Sequence, residues 1–376
     1  MKLTRILAPT DFSRFSGFAL EWAVNLAEAL RAELILLHVV PEEEGKIIEE
    51  VIGEGAGFMG QLALVRLRYD RPEEGAPQTL IAKLPASAPE NREVAMFFRF
   101  YEREVRFYEQ IADAVELRTP RRYCSQFEPA TGDYVLLLED LAPARVGDQL
   151  AGCSVQEAEL CIRELAKFHA TWWESPRLAE LDWMPSIADD WYIESVEESY
   201  ADAWKPFTEH FGHHLSRKLR RVAEEFVNHI RAFMLDFGSP PSTIIHGDYR
   251  LDNLFFGAPD GDPLAVIDWQ ISSRGRGIFD VAYFTAGTLP PADRKAKERD
   301  LVRMYHDTLV ERGVRGYEFD RCWVEYRRSV MFLIVYSVIA MGSIDLANER
   351  GVELFTTILK RTLAAIEDLK AYEVLA

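Results

Sequence analysis

The chain has 376 residues, 48% of them hydrophobic and 28% charged, with a formal net charge of -18. That is enough apolar residue for two or three domains with a large core, and too much for a disordered chain. An isoelectric point near 5.0 argues against a partner that needs a basic face, such as duplex nucleic acid or an anionic membrane, but not against a nucleotide, which needs only local positive charge.

Taken in chain order, MKLTRILAPTDF does not read as a signal peptide: its apolar run is short and Asp11 interrupts the stretch beyond it. Residues 1 to 40 read strand (RILAP), helix (FALEWAVNLAEALRA) and strand (ELILLHVV). The helix carries Leu20, Ala23, Ala27 and Leu30 at amphipathic spacing. PEEEG, residues 41 to 45, is a charged break. Residues 46 to about 140 are rich in β-type segments with one strong helix, and from about 143 the chain is mostly helical. The expected division is therefore 1–45, 46–142 and 143–376.

The second section contains Gly55-Ala-Gly57-Phe-Met-Gly60, a GxGxxG match. A dinucleotide fold would place a helix directly after it. Here Val65, Leu67 and Tyr69 alternate with Arg66 and Arg68, which is strand periodicity. Strand, glycine loop and strand is either a plain hairpin or a cover for phosphates, where missing Cβ atoms let backbone N–H groups approach.

In TLIAKLP, Lys83 ends a short apolar strand, where lysine is rare unless paired. A partner is offered by MFFRFYEREVRFYEQIADA. Phe97, Tyr101, Glu104, Tyr108 and Ile111 share one helical face, which makes Glu104 a carboxylate on an apolar stripe. Glu102, Arg103, Arg106 and Glu109 are expected to point to water. A Lys83–Glu104 pair would set the ammonium beside nucleotide phosphates; the alternative is two unrelated residues that snorkel to solvent. YVLLLEDL then runs a strand into Glu139, Asp140 and Leu141, whose backbone could hold an adenine.

The densest chemistry lies in IIHGDYRLDNLFFGAPDGDPLAVID, residues 244 to 268. A turn on APDGDP makes LFF and LAVI antiparallel strands. Centred there, it sets Asn253 opposite Asp268, with Cβ atoms about 5 Å apart. An amide oxygen and a carboxylate so placed suit Mg²⁺, which takes few protein oxygens and completes its shell with phosphate and water. Asp248, on the preceding loop, could accept a proton from a hydroxyl. The competing reading has the aspartates as turn caps.

HGDYRLDN, VIDWQ and WWESPRLAELDWMP together resemble the aminoglycoside phosphotransferase and choline kinase superfamily, in its ecdysteroid-kinase-like branch, over about residues 46 to 376. The resemblance implies an α+β, protein-kinase-like two-lobe fold: an antiparallel-sheet small lobe and a mainly helical large lobe. It implies a small-molecule O-phosphotransferase using ATP and Mg²⁺. Asp248 would be the base and Asn253 and Asp268 the metal ligands. Lys83 would contact the phosphates with Glu104 as its partner. Gly53, Gly55 and Gly57 would lie in the phosphate loop. His246 would brace the catalytic loop, and Asp280 would be structural. Gln270 stands where many aminoglycoside kinases carry aspartate, which weakens a drug-resistance assignment. Residues 1 to 40 resemble the opening strand, helix and strand of a universal stress protein. They lack that family's later glycine-rich segment, so a β-α-β extension without its own nucleotide site is expected.

Five of the eight tryptophans (Trp172, Trp173, Trp183, Trp191, Trp204) fall between residues 172 and 204. They would line an apolar pocket for a lipophilic alcohol or form helical core. The acidic run Asp189, Asp190, Glu194, Glu197, Glu198 and Asp202 would suit a cationic acceptor or be a solvated face. His210, His213 and His214 lack a third anchor for zinc, and His169 reads as a satisfied core histidine. A binding-only ATP sensor is the rival function, although it would not need Asp248. Cys124, Cys153, Cys161 and Cys322 form no CxxC pair, which favours a reducing cytosol. SVMFLIVYSVIAMG, residues 329 to 342, is too short to span a bilayer and reads as a buried helix.

Overall fold

A computed structural model describes residues 5–10, 33–38, 48–52, 60–67 and 75–375. The chain divides into two compact units, Met1–Tyr101 with Pro120–Asp140, and Glu102–Thr119 with Leu141–Ala376.

In the first unit, β1 (Arg5–Thr10) and β2 (Glu33–His38) pair in parallel. The helix expected between them lies outside the described residues, as do Gly53, Gly55 and Gly57. The main sheet is antiparallel, in the order β3-β4-β5-β7-β6. Its strands are β3 (Ile48–Ile52), β4 (Gly60–Arg66), β5 (Thr79–Pro85), β6 (Arg122–Glu128) and β7 (Asp133–Glu139). Strand alternation sorts its faces. Ala63, Leu80, Ala82, Val135 and Leu137 form a buried cluster on one side. Lys83 therefore takes the other side, in register with Leu62 and Leu136.

The helix expected over residues 96 to 114 is two helices, α1 (Pro89–Phe97) and α2 (Phe100–Gln110). Arg99, at φ 59°, breaks the run. Phe97 consequently leaves the stripe and is 59% exposed, whereas Tyr101, Glu104, Tyr108 and Ile111 are buried. Arg103 corrects the expectation that it faces water. It is fully buried, with its guanidinium 5.5 Å from the centre of the Tyr192 ring, which belongs to the same unit.

The second unit holds β8 (Arg145–Val146), α3 (Val155–Trp172), α4 (Asp190–His210), α5 (Arg217–Phe226) and α6 (Ile230–Phe237). Four short strands come next: β9 (Thr243–Ile245), β10 (Leu254–Phe256), β11 (Leu264–Val266) and β12 (Ser273–Gly275). It closes with α7 (Ile278–Thr288), α8 (Pro291–Glu311), α9 (Phe319–Gly342) and α10 (Glu349–Asp368). Ser154 starts α3 with a capping box, its hydroxyl accepting from Glu157 N–H while the Glu157 carboxylate accepts from Ser154 N–H. The apolar run 329 to 342 forms the second half of α9. Val330, Leu333, Ile334, Val335 and Val338 are buried there, each worth about 1.5–3 kcal/mol. Among the described residues no helix is long and apolar enough to cross a membrane.

Candidate active site

The apolar pairs around Asp248 and Asp268 are strand ends. Thr243–Ile245 pairs antiparallel with β12, and β10 pairs with both β11 and β8. Ile244, Ile245, Leu254, Ala265 and Val266 are buried. The loop from His246 to Asn253 and the link from Ile267 to Ser272 leave these ladders side by side.

The hairpin register differs by one residue from the expected one. Leu254 faces Val266, and Ile267 N–H donates to Asn253 O at 3.0 Å. Asn253 is thus opposite Ile267, not Asp268. The turn is centred on Asp260, which takes a left-handed φ of 67°, and Gly257 N–H closes it onto Pro263 O. Moving the centre by half a residue slips the register by one. Asp268 itself has φ 66°, a conformation Asp tolerates better than most residues.

The loop is pinned from several sides. Asp280, fully buried on α7, accepts from His246 N–H at 2.6 Å and Gly247 N–H at 2.9 Å. Its Oδ2 also faces His169 Nε2 at 3.3 Å, and His169 Nδ1 lies 3.0 Å from Tyr305 Oη. A carboxylate only accepts, so His169 donates through Nε2. His246 accepts Asp248 N–H at Nδ1, 3.2 Å, which leaves Nε2 to donate to Ile267 O at 2.9 Å. Its imidazole therefore couples the loop to the end of β11. Tyr249 Oη donates to Cys161 O on α3. Gln149 closes the far end, accepting from Leu251 N–H through Oε1 and donating its own backbone N–H to Asp252. Beneath the loop, Trp269 stacks on Phe107 at 3.9 Å and lies 4.6 Å from the His246 ring.

Gly147 packs directly against the backbone of this loop. A Cβ there would lie 2.5 Å from Leu251 O. Gly147→Ala is expected to push the loop, costing about 1–3 kcal/mol and lowering activity by displacing Asp248. Urea unfolding and turnover rate measure both effects.

The Asp248 carboxylate is held by three donors. Tyr283 Oη donates to Oδ1 at 2.8 Å, and Asn253 Nδ2 donates to Oδ2 at 3.0 Å. Arg250 Nε reaches both oxygens, at 3.1 and 3.0 Å. Burial works against the Arg250 charge, but the Asp248 and Asp252 carboxylates outweigh it and hold the guanidinium above its usual range. Burial, and then Asp248, raise Tyr283 well above the ordinary phenol value, so its hydroxyl stays a donor.

The Asn253 amide is oriented by the same contact. Only nitrogen can face a carboxylate, so its Oδ1 points away from Asp248. An amide oxygen such as Asn253 Oδ1 and a carboxylate such as that of Asp268 are ligand types that Mg²⁺ takes. No group of three or more His, Cys, Asp or Glu suited to a metal occurs among the described residues, so an all-protein cage is not offered. The rings of His213 and His214 lie 4.0 Å apart, tilted by 45°, and belong to no such group.

The other expected site residues are divided between the two units. Lys83 and Glu139 are in the first, and Glu104 and Leu141 in the second. Glu139 Oε2 accepts from Arg121 N–H at 2.9 Å. Leu141 is buried with Ala258 and Ala265, and its carbonyl accepts from Ala144 N–H. Sequence reasoning missed Arg250, Tyr283 and Gln149. The first two had signals, since Arg250 lies two residues after Asp248 and Tyr283 one helical turn after Asp280. Gln149 had none, because its partners Leu251 and Asp252 lie about a hundred residues away. Of the five clustered tryptophans, Trp172 and Trp183 are core. Asp190 and Glu197 pair with Arg231 on a solvated face.

The chain matches the model of the ecdysteroid kinase-like family over residues 54–314. The universal stress protein family model matches residues 2–79, well past the 40 residues expected. The choline kinase of Cryptosporidium parvum superposes with a TM-score of 0.51 at 13% identity, over 88% of this chain and 93% of that one. The GDP complex of an aminoglycoside 2'-phosphotransferase-IIIa mutant does so with 0.51 at 14% identity, over 89% and 95%. Both likenesses show the kinase-like fold. Mouse acyl-CoA dehydrogenase family member 10 is 35% identical over 74 residues, 19% of this chain and only 7% of that protein's length. With an anchored aspartate-bearing loop on a kinase-like fold, and the family model matched over most of this chain, the chain belongs to the ecdysteroid kinase-like family.

Proposed function

We propose that the chain transfers the γ-phosphoryl group of ATP to the hydroxyl of a lipophilic alcohol, with Asp248 as general base. The observation that supports this most directly is the grip on Asp248 by Tyr283, Arg250 and Asn253, which fixes a carboxylate within a pinned loop. The acceptor O–H gives its proton to Asp248 as its oxygen bonds to the γ-phosphorus. The bond from that phosphorus to the bridging oxygen breaks, and the nucleoside diphosphate leaves. Asp248 then returns the proton to solvent.

Mg²⁺ on Asn253 and Asp268 would neutralise phosphate charge. Lys83 would serve the phosphates with Glu104 as its counter-ion, and the Glu139–Leu141 backbone would hold the adenine. Gly53, Gly55 and Gly57 would form the covering loop. In this reading residues 1–45 are an extension, 46–142 the nucleotide lobe and 143–376 the acceptor lobe. The four free cysteines fit a cytoplasmic setting.

Thermal unfolding with Mg-ATP, Mg-GTP and no ligand tests the nucleotide site. At a hundred times its dissociation constant the nucleotide should add about 2.7 kcal/mol, and Asp268→Asn should lose the magnesium-dependent part. No shift with either nucleotide in the wild-type chain would overturn the reading.

A further inference from the structure

Tyr283 faces two ways. Its hydroxyl is on Asp248, and its side chain forms a wall of a cavity between α7, α9 and α10. Leu333, Tyr336, Ser337, Ala340 and Met341 line that cavity from α9, and Phe355, Ile358 and Thr362 from α10. The spacings are those of single helical faces. Most of the lining is apolar, and of its hydroxyls that of Ser337 is spent on Leu333 O at 3.0 Å and that of Tyr283 on Asp248. Tyr336 packs edge-on against Tyr283 with ring centres 5.9 Å apart. Phe355 and Ile358 are only partly buried, so part of the cavity's apolar lining is left within reach of solvent.

Size decides what this cavity can take. Its volume is about 50 Å³, far below the roughly 300–1,000 Å³ of sites that enclose a whole drug-sized ligand. A fused-ring skeleton does not fit. A narrow aliphatic segment does.

The geometry points to this cavity as the subsite for the carbon chain next to the acceptor hydroxyl, with Tyr283 as the residue that positions that hydroxyl on Asp248. The inference rests on the kinase reading above. It names the acceptor as an alcohol flanked by a slender aliphatic segment, in place of a steroid-like ring system or a cation. No cationic partner is called for, since the lining residues carry no carboxylate. The carbon chain packs on the Tyr283 ring and between the α9 and α10 faces. The hydroxyl oxygen then stands within reach of the carboxylate that removes its proton.

The test is a series of straight-chain alcohols of increasing length, with choline and an aminoglycoside as cationic comparators. Transfer is monitored with Mg-ATP for the wild-type chain and for Ala340→Phe, Ala340→Leu and Tyr283→Phe. Burying each methylene should lower KM about fourfold until the cavity is full. Ala340→Phe should abolish this length dependence while leaving the Mg-nucleotide thermal shift intact. Ala340→Leu should weaken it, which keeps the result readable if the phenylalanine variant folds poorly. Tyr283→Phe should lower kcat more than it raises the alcohol KM.

A KM independent of chain length, a length dependence that survives filling the cavity, or transfer to the cationic comparators alone would overturn the inference and leave the kinase reading standing. Bound Mg-nucleotide with no transfer to the aliphatic series would overturn it as well. Absence of the nucleotide shift in the wild-type chain would instead remove the kinase reading itself.

Discussion

Asp248→Asn is expected to lower phosphoryl transfer by about 10²–10⁴-fold, the usual contribution of a positioned general base, and to leave the Mg-nucleotide thermal shift in place. The substitution keeps the size and one acceptor oxygen, so Tyr283 can still donate to it. What it removes is the basic oxygen and the counter-charge to Arg250. Arg250 retains Asp252 as a second partner, so the loop should keep its fold. Single-turnover transfer, read beside the thermal shift, separates chemistry from binding. A rate within tenfold of wild type would show that Asp248 is not the base. It would also favour the rival in which the chain binds nucleotide as a sensor.

Asp280→Ala should act through stability. The side chain is fully buried and accepts from two consecutive backbone N–H groups and from His169. Removing it orphans all three donors, at a cost of about 3–5 kcal/mol. That is a large part of the roughly 5–15 kcal/mol by which most folds are stable. For a unit of this size it corresponds to a fall of roughly 6–20 °C in Tm. Thermal unfolding monitored by circular dichroism measures it. Asp280→Asn, which keeps one acceptor oxygen, should lose less. An alanine variant as stable as the wild type would mean that the loop backbone finds other partners.

The sequence is most readable where chemistry is concentrated. Asp248, Asn253 and Asp268 lie within 21 residues, at the ends of apolar segments that could only be strands, so their grouping can be inferred before any fold is known. The register cannot, because it depends on whether the turn centres on Asp260 or beside it, and Pro259, Gly261 and Pro263 permit both. Helix α2 shows the complementary limit. Its periodicity correctly places Glu104 inward, yet it does not reveal that a second surface covers the opposite side and buries Arg103. Periodicity reports the main buried face and is blind to a single position such as Arg103 that a neighbouring ring covers outside it. Arg250 and Tyr283 can be suspected from their spacing to Asp248 and Asp280. Gln149 cannot, since its role depends on contacts about a hundred residues distant.

One turn of α7 carries both Asp280, which holds the loop backbone, and Tyr283, which holds the carboxylate and walls the cavity. Residues three apart on a helix move as one body. An ill-fitting guest that displaces Tyr283 therefore tugs on the same rod that fastens His246 and Gly247. If the cavity takes the acceptor as proposed, discrimination among acceptors is built into turnover as well as affinity: a molecule too broad for the slot would displace Tyr283 and, through it, the Asp248 carboxylate it holds.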